Sequence, residues 1–193
     1  MKIVFISDTH CQHNDIRLNV TLNKIFEEDI NTIIVHAGDV SSRGYRWEVE
    51  GFIKWYSSLP FKHKIFIAGN HDFIFEENPN AIQSLLEEYP GLIYLQDSGI
   101  EIDGINFWGS PVQPRFHDWA FNRDADIAEH WKLIPENTDI LITHGPPYGI
   151  LDWTKRDRKS VGCPRLLEKI DELNVKVHVF GHIPVSYTHL RAH

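Results

Sequence analysis

Short runs of consecutive apolar residues punctuate the chain at Lys2–Ser7, Thr32–Ala37, Lys64–Ala68, Asp139–Thr143 and Val175–Phe180. They are rich in Ile and Val and show no strict in–out alternation, the pattern of strands covered on both faces. The segments between them change period. Asp15–Asp29 sets Ile16, Val20, Ile25 and Phe26 near one stripe of a helix, and Tyr45–Leu59 does the same with Trp47, Phe52 and Trp55. Helices are also predicted at Asn80–Glu88, Ala125–Leu133 and Pro164–Leu173. Strand then helix, repeated at the length of a βαβ unit, specifies a layered α/β fold.

The middle of the chain reads differently. Leu92–Leu95, Gly99–Ile102 and Ile105–Trp108 are short, and Asp103 and Gly104 between the last two form a hairpin signal. An antiparallel stretch is therefore expected inside or beside the parallel sheet. No internal repeat or low-complexity linker divides the chain, so residues 1–183 read as one domain. Residues 184–193 fit neither period.

Composition narrows the function. Of the 193 residues, 42% are hydrophobic, and 11 Phe, 6 Tyr and 6 Trp can fill a large core, which excludes disorder for most of the chain. A net charge of −8 leaves no stripe to neutralise a long nucleic-acid backbone. No apolar run reaches the ~20 residues needed to span a bilayer, and the run Ile3–Ile6 is too short for a signal-peptide core. Two cysteines, Cys11 and Cys163, make no disulfide framework. A cytoplasmic setting and a small substrate are expected.

The chemistry-bearing residues fall where predicted strands end. Asp8, Thr9 and His10 follow the first strand, and Gly38 and Asp39 the second. Gly69, Asn70, His71 and Asp72 follow the third, His144 and Gly145 the Asp139–Thr143 strand, and Gly181 and His182 the last. Carboxyl ends of parallel strands line the ligand crevice of an α/β sheet. Such a mixture of carboxylate, imidazole and amide donors suits Mn, Fe, Zn or Ni, and no thiolate cluster points to structural zinc. There are more donors than one ion with an open position requires, and two ions ~3.5–4 Å apart would use them all. Glycines before Asp39, Asn70 and His182 are expected to permit tight turns.

That order of motifs resembles the calcineurin-like metallophosphoesterases. Gly109–Pro111, Trp119–Asn122, Thr138–Pro147 and His178–Ile183 resemble in particular the branch of metallophosphoesterase-domain-containing proteins. The resemblance implies a layered α-β-β-α sandwich of mixed sheets and two divalent metal ions, and a fold that continues beyond this chain's last motif. By that analogy Asp8 and His10 hold the first ion, Asp39 bridges both, and Asn70, His144 and His182 complete the second. His71 is no ligand in this pattern; it faces the substrate beside Asn70 and protonates the leaving oxygen. The implied activity is hydrolysis of phosphodiesters, cyclic nucleotides leading, by a bridging hydroxide. Phosphomonoesters are the alternative substrates, and a low-activity metal- or nucleotide-binding protein is the alternative function.

The last alternative rests on a departure from the family pattern Gly-His-x-His, which here runs Gly181, His182, Ile183, Pro184. Proline offers no donor, so the first ion keeps Asp8, His10 and the bridge alone, with His189 or His193 as remote substitutes. Two readings follow: a natural end with a loosened first site, or a tail 184–193 that is not native. The run Val185–His193 reads as a translated sequencing adapter, which favours the second. Among other residues, His36 and His178 are expected to be packed within strands and Cys11 to be a buried filler. The basic run Lys155–Lys159 is expected to be a solvated loop and the Trp119–Phe121 aromatics to pack in the core, with phosphate clamping and base stacking as the respective alternatives; His13 and Arg115 are unassigned residues that could reach substrate, and Asp72 is a candidate orienter of His71.

Overall fold

The computed structural model describes residues 2–155 and 157–183. Tail residues 184–193, with Pro184, His189 and His193, lie outside the described residues. Strand β1 (Ile3–Ile6) leads through a 3₁₀ turn (Gln12–Asn14) into helix α1 (Ile16–Glu28), then β2 (Ile33–Ala37), α2 (Arg46–Ser58) and β3 (His63–Ile67). Helices α3 (Phe73–Glu77) and α4 (Pro79–Glu87) precede β4 (Leu92–Tyr94). These strands form a parallel sheet in the order β1-β2-β3-β4. Strands β5 (Ser98–Ile102) and β6 (Ile105–Ser110) begin the second sheet, which β9 (Ile140–Thr143) and β12 (Val177–Val179) complete in the order β12-β9-β6-β5. Between them lie β7 (Gln113–Pro114), β8 (Asn122–Arg123), α5 (Ile127–Lys132), the hairpin β10 (Trp153–Thr154) and β11 (Lys159–Ser160), and α6 (Pro164–Glu172).

Side-chain alternation decides the layering. Ile33, Val35 and Ala37 of β2 and Ile65 and Ile67 of β3 meet Ile102, Phe107, Ile140 and Ile142 in a core between the sheets. The opposite faces, through Ile34, Phe66 and Ala68, pack on Leu22, Val49, Phe52, Ile53 and Tyr56 under α1 and α2. Trp108 and Leu141 pack outward on Ile127, Trp131 and Leu166 of α5 and α6. The result is the expected helix–sheet–sheet–helix sandwich, with strands covered on both sides. Among the described residues no helix is long and apolar enough to cross a membrane.

Predicted elements differ from observed ones in instructive ways. The Asp103–Gly104 turn carries positive φ at both residues (50° and 78°), the geometry that closes a two-residue hairpin, and β5 pairs antiparallel with β6. Leu92–Tyr94 does not join them; it adds in parallel to β3, since the α3–α4 crossover carries the chain back over the sheet. On α1, Ile16 (79% exposed) and Val20 (47%) face solvent, and Leu22 is buried instead. Asp15 fixes this rotation by capping α1, accepting from Arg17 N at 2.8 Å and Leu18 N at 3.1 Å. Trp47 is likewise exposed (67%), because it falls in the first turn of α2, beyond the reach of the sheet.

His36 lies within β2 as expected, fully buried and bonded through Nε2 to Thr9 Oγ1 at 3.0 Å. Its ring packs edge-on against Phe52 at 5.1 Å. Burial pushes its pKa down to about 3, so the folded state holds it neutral. Below the unfolded imidazole's pKa of about 6.5 the unfolded chain binds the extra proton, and stability falls with falling pH until the folded value is reached. Between about pH 6 and pH 5 this group removes roughly 1 kcal/mol. Urea unfolding at the two pH values should show that loss in the parent chain and a correspondingly smaller one in His36→Gln.

Candidate metal centre

The ends of β1, β2, β3, β9 and β12 point the same way and deliver their following turns to one cleft. Asp8 N donates to Gly38 O at 2.9 Å and His10 N to Asp39 O at 3.0 Å, tying the first turn to the second. Gly38 adopts φ 94°, which only glycine reaches without strain. Gly69 has a different reason to be glycine: a Cβ there would strike Asp39 and come within 2.7 Å of the His144 ring. The expectation of tight turns at all three glycines thus holds for Gly38; Gly69 and Gly181 are needed for close approach.

Asp39 is the centre of the cleft. One carboxylate oxygen accepts from His71 N at 2.8 Å. The other lies 3.3 Å from His144 Nε2 and 3.7 Å from His10 Nε2. Two groups of donor atoms result, each drawn together within 4.8 Å: His10, Asp39 and His71, and Asp39, His144 and His182. Asn70 Oδ1 adds to the second, 2.9 Å from His144 Nε2 and 2.6 Å from His182 Nδ1. Asp8 stands outside both groups; its two oxygens accept from His182 N at 3.0 and 3.2 Å.

In His144, His10 and His71 the other ring nitrogen is held by a backbone carbonyl. His144 Nδ1 bonds Ala37 O at 3.0 Å, His10 Nδ1 bonds Ser41 O at 3.2 Å, and His71 Nδ1 bonds Ser42 O at 2.7 Å. A carbonyl only accepts, so each Nδ1 carries hydrogen and each Nε2 is directed into the cleft. All three carbonyls come from the end of β2 and the turn after it. That turn is fastened from below by buried Asp72, which accepts from Val40 N (3.1 Å), Ser41 N (2.9 Å), Ser41 Oγ (2.6 Å) and Gly69 N (2.8 Å). Asp72 therefore orients His71 indirectly, through the Ser42 carbonyl, and bonds the turn instead of the ring.

The charges fit a divalent cation. Burial would depress His144, but Asp39 beside it prevails and lifts the imidazole to about 9. Asp39 is opposed by its own burial, yet His144 and His71 hold it well below the usual carboxylate range. His144 thus donates from both nitrogens, supplying the positive charge that the oxygens of Asp39 and Asn70 require; a metal ion would replace that proton. His182 is pushed down, first by desolvation and then by His144, and stays a neutral donor. Asp72 is raised to about 6 by burial and by the charge of Asp39.

A cavity of about 890 Å³ opens beside the centre, lined by Asp8, His10, Leu151, His178 and His182 among others. Other candidates fall elsewhere. His13 is buried and stacks on Trp55 at 5.4 Å, inside the helical layer. Arg115 pairs with Asp124 at 2.8 Å and lines a separate hollow with Arg123 and Arg165. Lys155, Asp157, Arg158 and Lys159 lie exposed on the β10–β11 hairpin. Cys11 is half-exposed with φ 65°, and is no buried filler. Phe121 is core, but Trp119 is half-buried with its ring 4.2 Å from that of His71. Nothing in the sequence marks the carbonyls of Ala37, Ser41 and Ser42, since any residue offers the same group.

Replacing Asp72 by Asn sets an amide NH₂ against donors that now meet a carboxylate. Two of the four donors lose their acceptor, which costs roughly 2–3 kcal/mol. Asp72→Asn should unfold at correspondingly lower urea and bind metal more weakly than the parent chain.

The calcineurin-like phosphoesterase family matches residues 1–186. Metallophosphoesterase domain-containing protein 1 of Homo sapiens, and that of Mus musculus, are each 38% identical over 96% of this chain and 61% of their own length. The chain therefore spans about three fifths of those relatives. A crystal structure of TT1561 from Thermus thermophilus superimposes with a TM-score of 0.68 at 15% identity, over 92% of this chain and 80% of that one; that likeness concerns the fold alone. With a match along nearly its whole length and a cleft of histidine, aspartate and asparagine donors at its strand ends, the chain belongs to the calcineurin-like phosphoesterase family.

Proposed function

We propose that the chain, with residues 1–183 as one domain, hydrolyses small phosphodiesters at a dinuclear metal site in the cytoplasm, and that cyclic nucleotides are its leading substrates. The observation that carries this reading is the place of Asp39 between His144 and His182 on one side and His10 and His71 on the other. Asp39, Asn70, His144 and His182 would hold one divalent ion, and Asp8, His10 and Asp39 the other, with Mn, Fe, Zn and Ni all suited to such donors. The ions, when bound, supply positive charge to the phosphoryl oxygens and acidify a water. Asn70 and His71 face the substrate. With Nδ1 fixed on Ser42 O, His71 keeps Nε2 as its transferable-proton position and delivers that proton to the departing alkoxide. A net charge of −8 and the donor-lined cavity favour a small anionic ester over a polymer. Free thiols at Cys11 and Cys163 accord with a reducing compartment.

A second reading has its own observation. Asp8 spends both oxygens on the His182 amide, and Pro184 offers no donor where the family pattern has histidine. A chain with one well-built site would bind a metal and a nucleotide with little turnover.

Metal content separates the two readings. The metal-free chain is reconstituted with Mn or Zn, its stoichiometry read by elemental analysis, and its activity assayed on bis(p-nitrophenyl) phosphate, a cyclic nucleotide and p-nitrophenyl phosphate. Two ions per chain, with diesters cleaved faster than the monoester, is the expected result. Asp39→Asn should lose metal and roughly a thousandfold in kcat. One ion and negligible turnover would establish the second reading, and no bound ion would overturn both. His71→Ala should bind metal as the parent does and lose about 10²–10⁴-fold in kcat on the cyclic nucleotide.

A further inference from the structure

Trp119 is the one aromatic of the Trp119–Phe121 run that its surroundings do not absorb. Phe121 and Ala120 are buried in the helical layer, whereas Trp119 is half-buried and lies over the His71 ring. The two ring centroids are 4.2 Å apart at an interplanar angle of 36°. His71 is thereby confined from three directions. Ser42 O holds Nδ1 at 2.7 Å, the His10 ring stands edge-on at 4.6 Å, and the indole covers a face. Without the indole that face is open and the ring can swing about its bond to the carbonyl.

The loop that presents Trp119 is tied to the very segment that carries His71. Ala120 N donates to Asn70 O at 3.2 Å, one residue before His71. Phe121 N donates to Glu76 Oε2 at 2.6 Å, and Arg123 pairs with Glu76 Oε1 at 2.8 Å, five residues after it. Asn122 braces the loop from within, bonding Phe116 N at 3.1 Å and His117 O at 2.9 Å. Phe73 flanks the indole at 5.8 Å. Two anchors on a common segment fix the distance between the rings; a loop packed merely for core volume would need neither.

We infer that Trp119 is a positioning residue for His71, holding Nε2 in the line along which the leaving oxygen takes its proton. This rests on the hydrolase reading above for its chemistry, and on the ring contact alone for its geometry. Misdirecting a proton donor matters only when the leaving group needs the proton. A ribose alkoxide does, and p-nitrophenolate departs without it. The signature is therefore a dependence on leaving group, which a general loss of structure does not produce.

The test compares the parent chain with Trp119→Phe, Trp119→Leu and Trp119→Ala. In the metal-free protein, the His71 ring protons, identified by their absence in His71→Gln, should carry the ring-current shift of the indole. That shift should vanish in the Leu and Ala variants and persist in part in Phe. With metal, kcat on a cyclic nucleotide should fall roughly tenfold further than kcat on bis(p-nitrophenyl) phosphate in Leu and Ala, and Phe should restore the parent ratio. Equal losses on both esters, or unshifted His71 protons in the parent chain, would overturn the inference. A parent chain that cleaves neither ester counts against the hydrolase reading, and the ring-current result then decides the placement of Trp119 by itself.

Discussion

Three carbonyl oxygens of one short stretch of backbone govern this cleft. Ala37, Ser41 and Ser42 each accept from an imidazole Nδ1, and so direct the Nε2 atoms of His144, His10 and His71 to one place. Histidine has two nitrogens and can present either, so a cluster of histidines is a centre only when something chooses for each of them. Here the choice is made by backbone, which cannot change identity when residues vary. The turn itself is held by the four hydrogen bonds to buried Asp72. A shift of this turn would move three rings and Asp39 together.

That dependence explains the electrostatic arrangement. Bringing Asp39 and Asp72 close in a dry interior is costly, and the cost appears as the raised pKa of Asp72. It is offset by the hydrogen bonds that Asp72 accepts and by the positive charge that His144 holds beside Asp39. The metal-free chain thus remains balanced by a proton where a cation would sit. The sheets supply the rest: five strand ends bring the turns together, and the buried faces of β2 and β3 keep them from drifting.

Much of this is legible in the sequence because it rests on local patterns. Continuous apolar runs locate the central strands, glycines mark the strand ends that crowd into the cleft, and the donors announce themselves by type beside them. What is not legible depends on direction in space. The apolar stripe on α1 includes Ile16 and Val20, yet the helix is rotated to bury Leu22, since the Asp15 cap and the sheet surface decide which side faces in. Leu92–Tyr94 groups with its sequence neighbours by length and composition, but a short strand carries no sign of whether it pairs parallel or antiparallel; the preceding crossover settles that. Asp8 has the expected type and place in the chain, and only the fold reveals that its oxygens engage the His182 amide.

The same distinction separates Trp119 from its neighbours. In sequence, Trp119 and Phe121 are two aromatics flanking an alanine, and an aromatic beside a strand is ordinarily core. The chain turns at Ala120 and Phe121, where Phe121 N is bonded to Glu76 and Phe121 itself takes a left-handed φ of 58°. The reversal sends Phe121 inward and leaves Trp119 over His71. A loop with left-handed backbone at both His117 and Phe121 places an indole face against a proton donor, and neither helix packing nor sheet packing calls for such a contact. Strain of this kind persists only where surrounding bonds over-determine it, and here the bonds to Asn70 and Glu76 do so from both sides of the segment that carries His71.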